Sequence, residues 1–162
     1  MKLIVNGHAQ HGKDTVADML ADRFKLNKLN ASMYIAEKVI MPALPNVYSC
    51  VEECYKDRVN WRDLWFQFLR FKVYHHQDFW VEFMKNSDVF CGHRSIDEFN
   101  YMLSAVECRT VWVHDPRKPM EAESSNEFQD MDLAYRQHDF VIINDSTLED
   151  LRERVRLLGE YK

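Results

Sequence analysis

Nine residues, Gly7-His8-Ala9-Gln10-His11-Gly12-Lys13-Asp14-Thr15, lie between an apolar run, Leu3-Ile4-Val5, and a helical pattern opening Val16-Ala17-Asp18-Met19-Leu20. A glycine, four residues and then Gly-Lys is the spacing of a phosphate-binding loop. Its glycines let the backbone curl so that successive N–H groups point inward at phosphate oxygens. A helix starting at Lys13 adds its positive N-terminal end, and the Lys13 ammonium reaches the outer phosphates of a nucleoside triphosphate. All nine residues are therefore expected to line a nucleotide site. The alternative is an ordinary strand-to-helix turn.

Lys13 is followed by Asp14, where such loops commonly carry Ser or Thr. That hydroxyl normally touches magnesium. Thr15 comes one position later, within reach of a phosphate. Asp14 has two readings: a carboxylate that approaches magnesium directly or through water, or a residue that only favours the helix N-terminus electrostatically.

The chain has 162 residues, which fits one domain, 1–162, with a sizeable core. Hydrophobic residues make up 46%, so disorder is not expected. No apolar run approaches the roughly 18 residues of a membrane span, and the N-terminus lacks a signal-peptide pattern. A soluble, cytoplasmic protein is expected. Cys50, Cys54, Cys91 and Cys108 form no Cys-x-x-Cys pair, so reduced thiols are expected rather than a zinc site. The net charge of −5 argues mildly against tight, nonspecific binding to long nucleic acid, though not against a local basic groove.

Lys2 to Asn6 reads as a buried strand and Lys13 to about Lys25 as a helix with Val16, Met19, Leu20 and Phe24 on one face. Asn30 to Ala36 reads as a second strand, through Met33-Tyr34-Ile35. Pro42 and Pro45 then break any long element. Cys50 to about Met84 lacks Gly and Pro and reads as one or two helices carrying ten aromatic residues, most of them core. Asp88 to Gly92 reads as a third strand, with Ser95 and Glu98 fitting a capping box for the next helix. Thr110 to His114 is a fourth strand and Phe140 to Ile143 a fifth. Ser146 or Thr147 caps a last helix with Leu148, Leu151, Val155 and Leu158 on one face. The expected fold is three-layer α/β with a parallel sheet of about five strands and ligands at the strands' carboxyl ends. Within it, 45–84 is a helical acceptor-side region and 115–136 a lid-like segment.

Phosphoryl transfer needs positioned positive charge more than covalent chemistry by the protein. Lys13, Arg94, Arg117 and Arg136 offer it, with Arg58 and Arg62 from the aromatic region. Arg94 follows a strand and a glycine, where an acceptor would bind. Arg117 and Lys118 lie in the charged segment, read as a lid over the donor phosphates, and Arg136 is assigned to the same lid. A hydroxyl acceptor needs a carboxylate base, for which Glu37 and Asp57 are the candidates. The third strand ends in Cys91, where a magnesium-orienting Asp is expected, so Asp14 becomes the metal-side carboxylate. His8 and His11 lie within reach of phosphates; His75 and His76 read as helix-surface residues.

Gly12-Lys13-Asp14-Thr15-Val16-Ala17 resembles the loop of bacteriophage deoxynucleoside monophosphate kinases. Gly92-His93-Arg94 after a strand resembles the Asp-Gly-Phe-Pro-Arg region of adenylate-kinase-like enzymes, with Cys91 in place of the Asp and no Pro. Phe140 to Leu151, with Asn144-Asp145 before the last helix, resembles the end of dephospho-coenzyme A kinases. Ile35-Ala36-Glu37-Lys38-Val39-Ile40-Met41-Pro42-Ala43-Leu44, Glu52-Glu53-Cys54-Tyr55-Lys56-Asp57-Arg58 and Asn60-Trp61-Arg62 resemble the short phage kinases that include 5-hydroxymethyluridine DNA kinases. The resemblance implies a P-loop kinase using ATP and Mg2+. It implies as acceptor the hydroxymethyl group of 5-hydroxymethyl-deoxyuridine in phage DNA, a step in thymidine hypermodification, with Glu37, Arg58, Arg62 and Arg94 on the acceptor side. The location implied is the host-cell cytoplasm. A free deoxynucleoside monophosphate is the second acceptor considered. A catalytically inactive nucleotide-binding protein is the third possibility.

Overall fold

The structure is a computed structural model and describes residues 1–158. Four strands, β1 (Leu3–Asn6), β2 (Val89–Cys91), β3 (Arg109–His114) and β4 (Phe140–Ile143), form one sheet in the order β2-β1-β3-β4, with every neighbouring pair parallel. Nine helices surround them among the described residues: α1 (Lys13–Phe24), α2 (Ala31–Ile35), α3 (Met41–Ala43), α4 (Val51–Asp57), α5 (Arg62–His75), α6 (Phe79–Asn86), α7 (Ile96–Ala105), α8 (Met131–Gln137) and α9 (Leu148–Leu158). A π-helical stretch, Ala36–Ile40, joins α2 to α3, and a 3-10 turn, Arg58–Asn60, joins α4 to α5. Among the described residues, no helix is long and apolar enough to cross a membrane.

Alternation along the strands sorts their side chains into two cores. Leu3, Val5, Val89, Val111, Val113 and Ile142 face α1 and α9, packing with Val16, Ala17, Leu20, Leu151 and Val155. Ile4, Phe90 and Trp112 point to the other face and join Trp65, Phe79, Trp80, Phe83, Phe99 and Phe128. Both faces are thus covered, as a parallel sheet requires. The core face of α1 is Val16, Ala17, Leu20 and Ala21, with Met19 and Phe24 partly buried beside it.

Three expectations need correction. The sheet has four strands, not five, because Asn30 to Ala36 is helical. The Asn30 side chain accepts from the Ser32 and Met33 N–H groups, at 2.9 and 3.2 Å, and this N-cap starts α2 where the run Met33-Tyr34-Ile35 reads as a strand. The aromatic stretch is three helices with turns at Arg58–Asn60 and His76–Asp78. Of its ten aromatic residues, Trp65, Phe79, Trp80 and Phe83 are buried, but Trp61, Phe66, Phe71 and Tyr74 are exposed. Ser95 and Glu98 form no capping box. Glu98 accepts instead from the Trp80 indole N–H, and Glu127 accepts from the Ile96 N–H that starts α7.

At α9 the capping expectation holds. Thr147 Oγ1 accepts from the Asp150 N–H at 3.2 Å, and Asp150 accepts from the Thr147 N–H at 3.2 Å.

Candidate phosphate-binding site

The loop between β1 and α1 curls as its glycines predict. Gly12 has φ 93°, and a Cβ there would lie 2.5 Å from the Asn144 side-chain nitrogen. That amide donates to the His11 carbonyl at 3.1 Å, so β4's end clamps the loop. Gly92, with φ 92°, does the equivalent on the other side: the aliphatic chain of Lys13 passes where its Cβ would be, with Cε 3.1 Å away. Strand ends β2 and β4 therefore bracket the loop, and only glycine fits at both points.

Lys13 opens α1, its side chain largely buried and its ammonium 3.5 Å from the Asp14 carboxylate. Asp14 and Thr15 are exposed on the first turn. The Cys91 thiol donates to Asp14 at 3.4 Å. Surrounding protein works against the charged form of Asp14, but Lys13 and the Cys91 contact outweigh it and hold the carboxyl below its usual range. Burial, with Asp14 alongside, pushes the Cys91 thiol far up, so it stays protonated. Magnesium bound with a nucleotide takes one or two protein carboxylates and leaves the rest to phosphate oxygens and water. Asp14 fits that set. Among the described residues no group of three or more His, Cys, Asp or Glu is placed to hold a metal alone.

Both loop histidines are buried and fasten the following segment to the loop. His8 Nδ1 accepts from the Glu121 backbone N–H at 3.2 Å. His11 Nδ1 accepts from the Asp115 N–H at 3.1 Å, which leaves its Nε2 proton to donate to the Pro119 carbonyl at 3.2 Å. Burial, chiefly, lowers the pKa of His8, consistent with a neutral acceptor. Deeper in, Asn6 at the end of β1 donates to His138 and accepts from the His93 N–H at 2.9 Å. His93 stacks on Phe90 at 4.1 Å, and burial brings its pKa down to about 3.

The segment after β3 lies against the loop through Asp115, Pro119 and Glu121. Arg117 makes a two-pronged contact with Asp115, at 2.8 and 2.9 Å, and donates to the Asn144 carbonyl. Arg117, first, holds the buried Asp115 carboxyl down at about 2. The fold therefore gains stability from this ionised group above an ordinary aspartate value near pH 4, and loses it as pH falls toward about 2. Thermal unfolding followed from pH 5 to pH 2 should show Tm falling, and Asp115→Asn should flatten that dependence in this window. An equal fall in both proteins would remove Asp115 as its cause.

The remaining candidates are spread. Arg94, exposed after β2, donates to Glu121 at 2.9 Å and to the Ser125 carbonyl at 3.1 Å. Arg136 bonds to the Asp132 carbonyl within α8. Arg58 donates to Ser32 and lies 5.0 Å from the Tyr55 ring centre. Arg62 is exposed at the start of α5. Glu37 is exposed on the π-helical stretch, paired with Lys38 at 2.7 Å, and so not at a strand end. Asp57 accepts from Asn60 at 2.7 Å and Tyr48 at 2.9 Å, contacts that hold it below its ordinary value.

Glu121, which no spacing singles out, reaches the loop with a carboxylate that accepts three hydrogen bonds. One carboxylate oxygen accepts from the Ala9 N–H at 2.8 Å and the Asn126 amide at 3.1 Å, and the other accepts from Arg94. Nothing in the sequence sets it apart from Glu123 and Glu127 in the same segment rich in Pro, Glu and Ser.

No protein-family profile and no curated protein matches the sequence. Among solved structures, the chain is similar to shikimate kinase from Aquifex aeolicus vf5, with a TM-score of 0.51, 18% identity, and coverage of 99% of this chain and 96% of that one. At that identity the likeness shows the fold: α/β with a parallel sheet, as in a P-loop kinase.

Proposed function

We propose that this chain is a single-domain, ATP-dependent phosphotransferase that uses magnesium, with the hydroxymethyl group of 5-hydroxymethyl-deoxyuridine in DNA as acceptor. The observation that carries the kinase assignment is the curled loop with Lys13 at its helix start, bracketed by Gly92 and Asn144 and faced by Arg94. Loop N–H groups and Lys13 bind the donor phosphates, and Arg117 and Arg136 serve the lid. Asp14 would hold the magnesium, which supplies charge neutralisation at the phosphates. In the transfer, the acceptor oxygen bonds to the γ-phosphorus, the bond to the bridging oxygen breaks, and ADP leaves. The hydroxyl proton passes to a carboxylate. Glu37 and Asp57 are the candidates: Asp57 has both oxygens engaged, by Tyr48 and Asn60, and Glu37 has one engaged, by Lys38.

The DNA acceptor draws support from α5. Phe66, Phe71 and Tyr74 are exposed there beside Arg62 and Arg70, and the Arg70 guanidinium lies 5.5 Å from the Phe66 ring centre. Exposed rings with interleaved arginines suit stacked bases and a phosphate backbone. A free deoxynucleoside monophosphate is the second reading, favoured by the net charge of −5.

Labelled ATP and magnesium, offered with hydroxymethyluracil-containing DNA, ordinary DNA or free deoxynucleotides, separate these. Label on the modified DNA is expected. Label on free monophosphates alone sinks the DNA acceptor, and ATP binding with no transfer leaves a binding protein. Arg94→Ala should raise the acceptor KM about 10- to 100-fold, the loss of one charge-assisted contact, and change ATP binding less. Equal loss of both would remove Arg94 from the acceptor side.

A further inference from the structure

We infer that the Glu121 carboxylate occupies the loop's own anion seat, held there by a strap that His8 and His11 fasten, and that a nucleotide binds by displacing it. This rests on reading the loop as a phosphate site. The Ala9 N–H and the Lys13 charge are groups that a donor phosphate would use, and Arg94 and Asn126 hold the carboxylate in place beside them. The Ala9 N–H of the loop and the Asn126 amide donate to one carboxylate oxygen, Arg94 donates to the other, and the Lys13 charge adds to the field. Burial would raise the pKa of Glu121, yet the Asn126 amide, Arg94, the Ala9 N–H and Lys13 together bring it below the ordinary value. The carboxylate is therefore the charged form, the one that imitates a phosphate oxygen pair.

The strap is built for this position. Its backbone is tied to the loop at three places: the Asp115 N–H on His11, the Pro119 carbonyl on His11, and the Glu121 N–H on His8. Gln129 donates to the Glu121 carbonyl at 3.1 Å from the far side. Phe128 and Asn126, both buried, root the segment in the core. Two histidines in place of small loop residues thus have a use that contact with phosphate does not explain. A carboxylate and a phosphoryl group repel at this separation, so both cannot hold the seat. Glu121 is poorly placed as a base, since both its oxygens already accept from donors.

Calorimetric titration of magnesium-free ATP and of inorganic tripolyphosphate into wild type, Glu121→Gln and Glu121→Ala tests this. If the seat is filled nine-tenths of the time, removing the carboxylate tightens apparent binding about tenfold. Tighter binding of both ligands by both variants is expected, including the case where wild type binds neither. Unchanged or weaker affinity, or no binding by any of the three, overturns the inference. Amide exchange over residues 115–128 should rise when ATP is added to wild type; greater protection overturns the inference equally. Variants of unchanged affinity beside an active wild type refute the strap and leave the kinase standing. Tighter variants beside a wild type that transfers to no acceptor do the reverse.

Discussion

Lys13→Ala should abolish phosphoryl transfer while the protein stays folded. The side chain leaves α1 at its first residue, crosses Gly92 and places its ammonium at the loop. Among the described residues no other lysine is positioned by both a helix start and a neighbouring strand end in this way. Loss of one preorganised charge at a transferring phosphoryl group costs on the order of 10²–10³-fold in rate. The helix loses little, since alanine is the strongest helix former and Val16 and Ala17 still anchor that turn in the core. Initial rates with labelled ATP, beside a circular-dichroism melt, check both halves. Turnover within a few-fold of wild type would remove Lys13 from the phosphates and with it the assignment of the loop.

How far the sequence reveals the molecule follows from the range of the interactions. Gly7, Gly12 and Lys13 act through backbone curvature and a helix end, which are local, so their spacing carries the site. The four true strands are short apolar runs bounded by polar residues, and all were legible. Asn30 to Ala36 was misread because the Asn30 cap, a side-chain contact spanning three residues, outweighs a brief apolar run. Arg94 is proposed from its place after a strand and glycine, and the structure keeps it there, after the end of β2. Glu121 was not singled out, because its partners Ala9 and Arg94 lie 112 and 27 positions away and no periodicity joins them. The two histidines were seen but assigned to phosphate. In the structure a ring nitrogen of each accepts from a backbone N–H of a segment more than a hundred residues later, contacts that no local pattern announces.

The core beneath the loop yields the second large effect. Trp112, in the middle of β3, is fully buried and is the largest such side chain among the described residues. It meets His8 edge-on at 5.7 Å between ring centres, Phe128 at 5.3 Å and His138 at 5.2 Å. Trp112→Ala should lower unfolding stability by about 3–5 kcal/mol through lost burial and the cavity left behind. That is a large share of the roughly 5–15 kcal/mol a domain possesses. Trp112→Phe should cost less: it keeps a ring against Phe128 and removes a buried indole N–H that has no hydrogen-bond partner among the described residues. Urea denaturation of the three proteins should rank them wild type, Phe, Ala. The Ala variant should also lose nucleotide affinity, since Trp112 supports His8, a residue of the phosphate loop itself. Ala and Phe variants of equal stability would mean that the ring's volume is not what supports the loop from below.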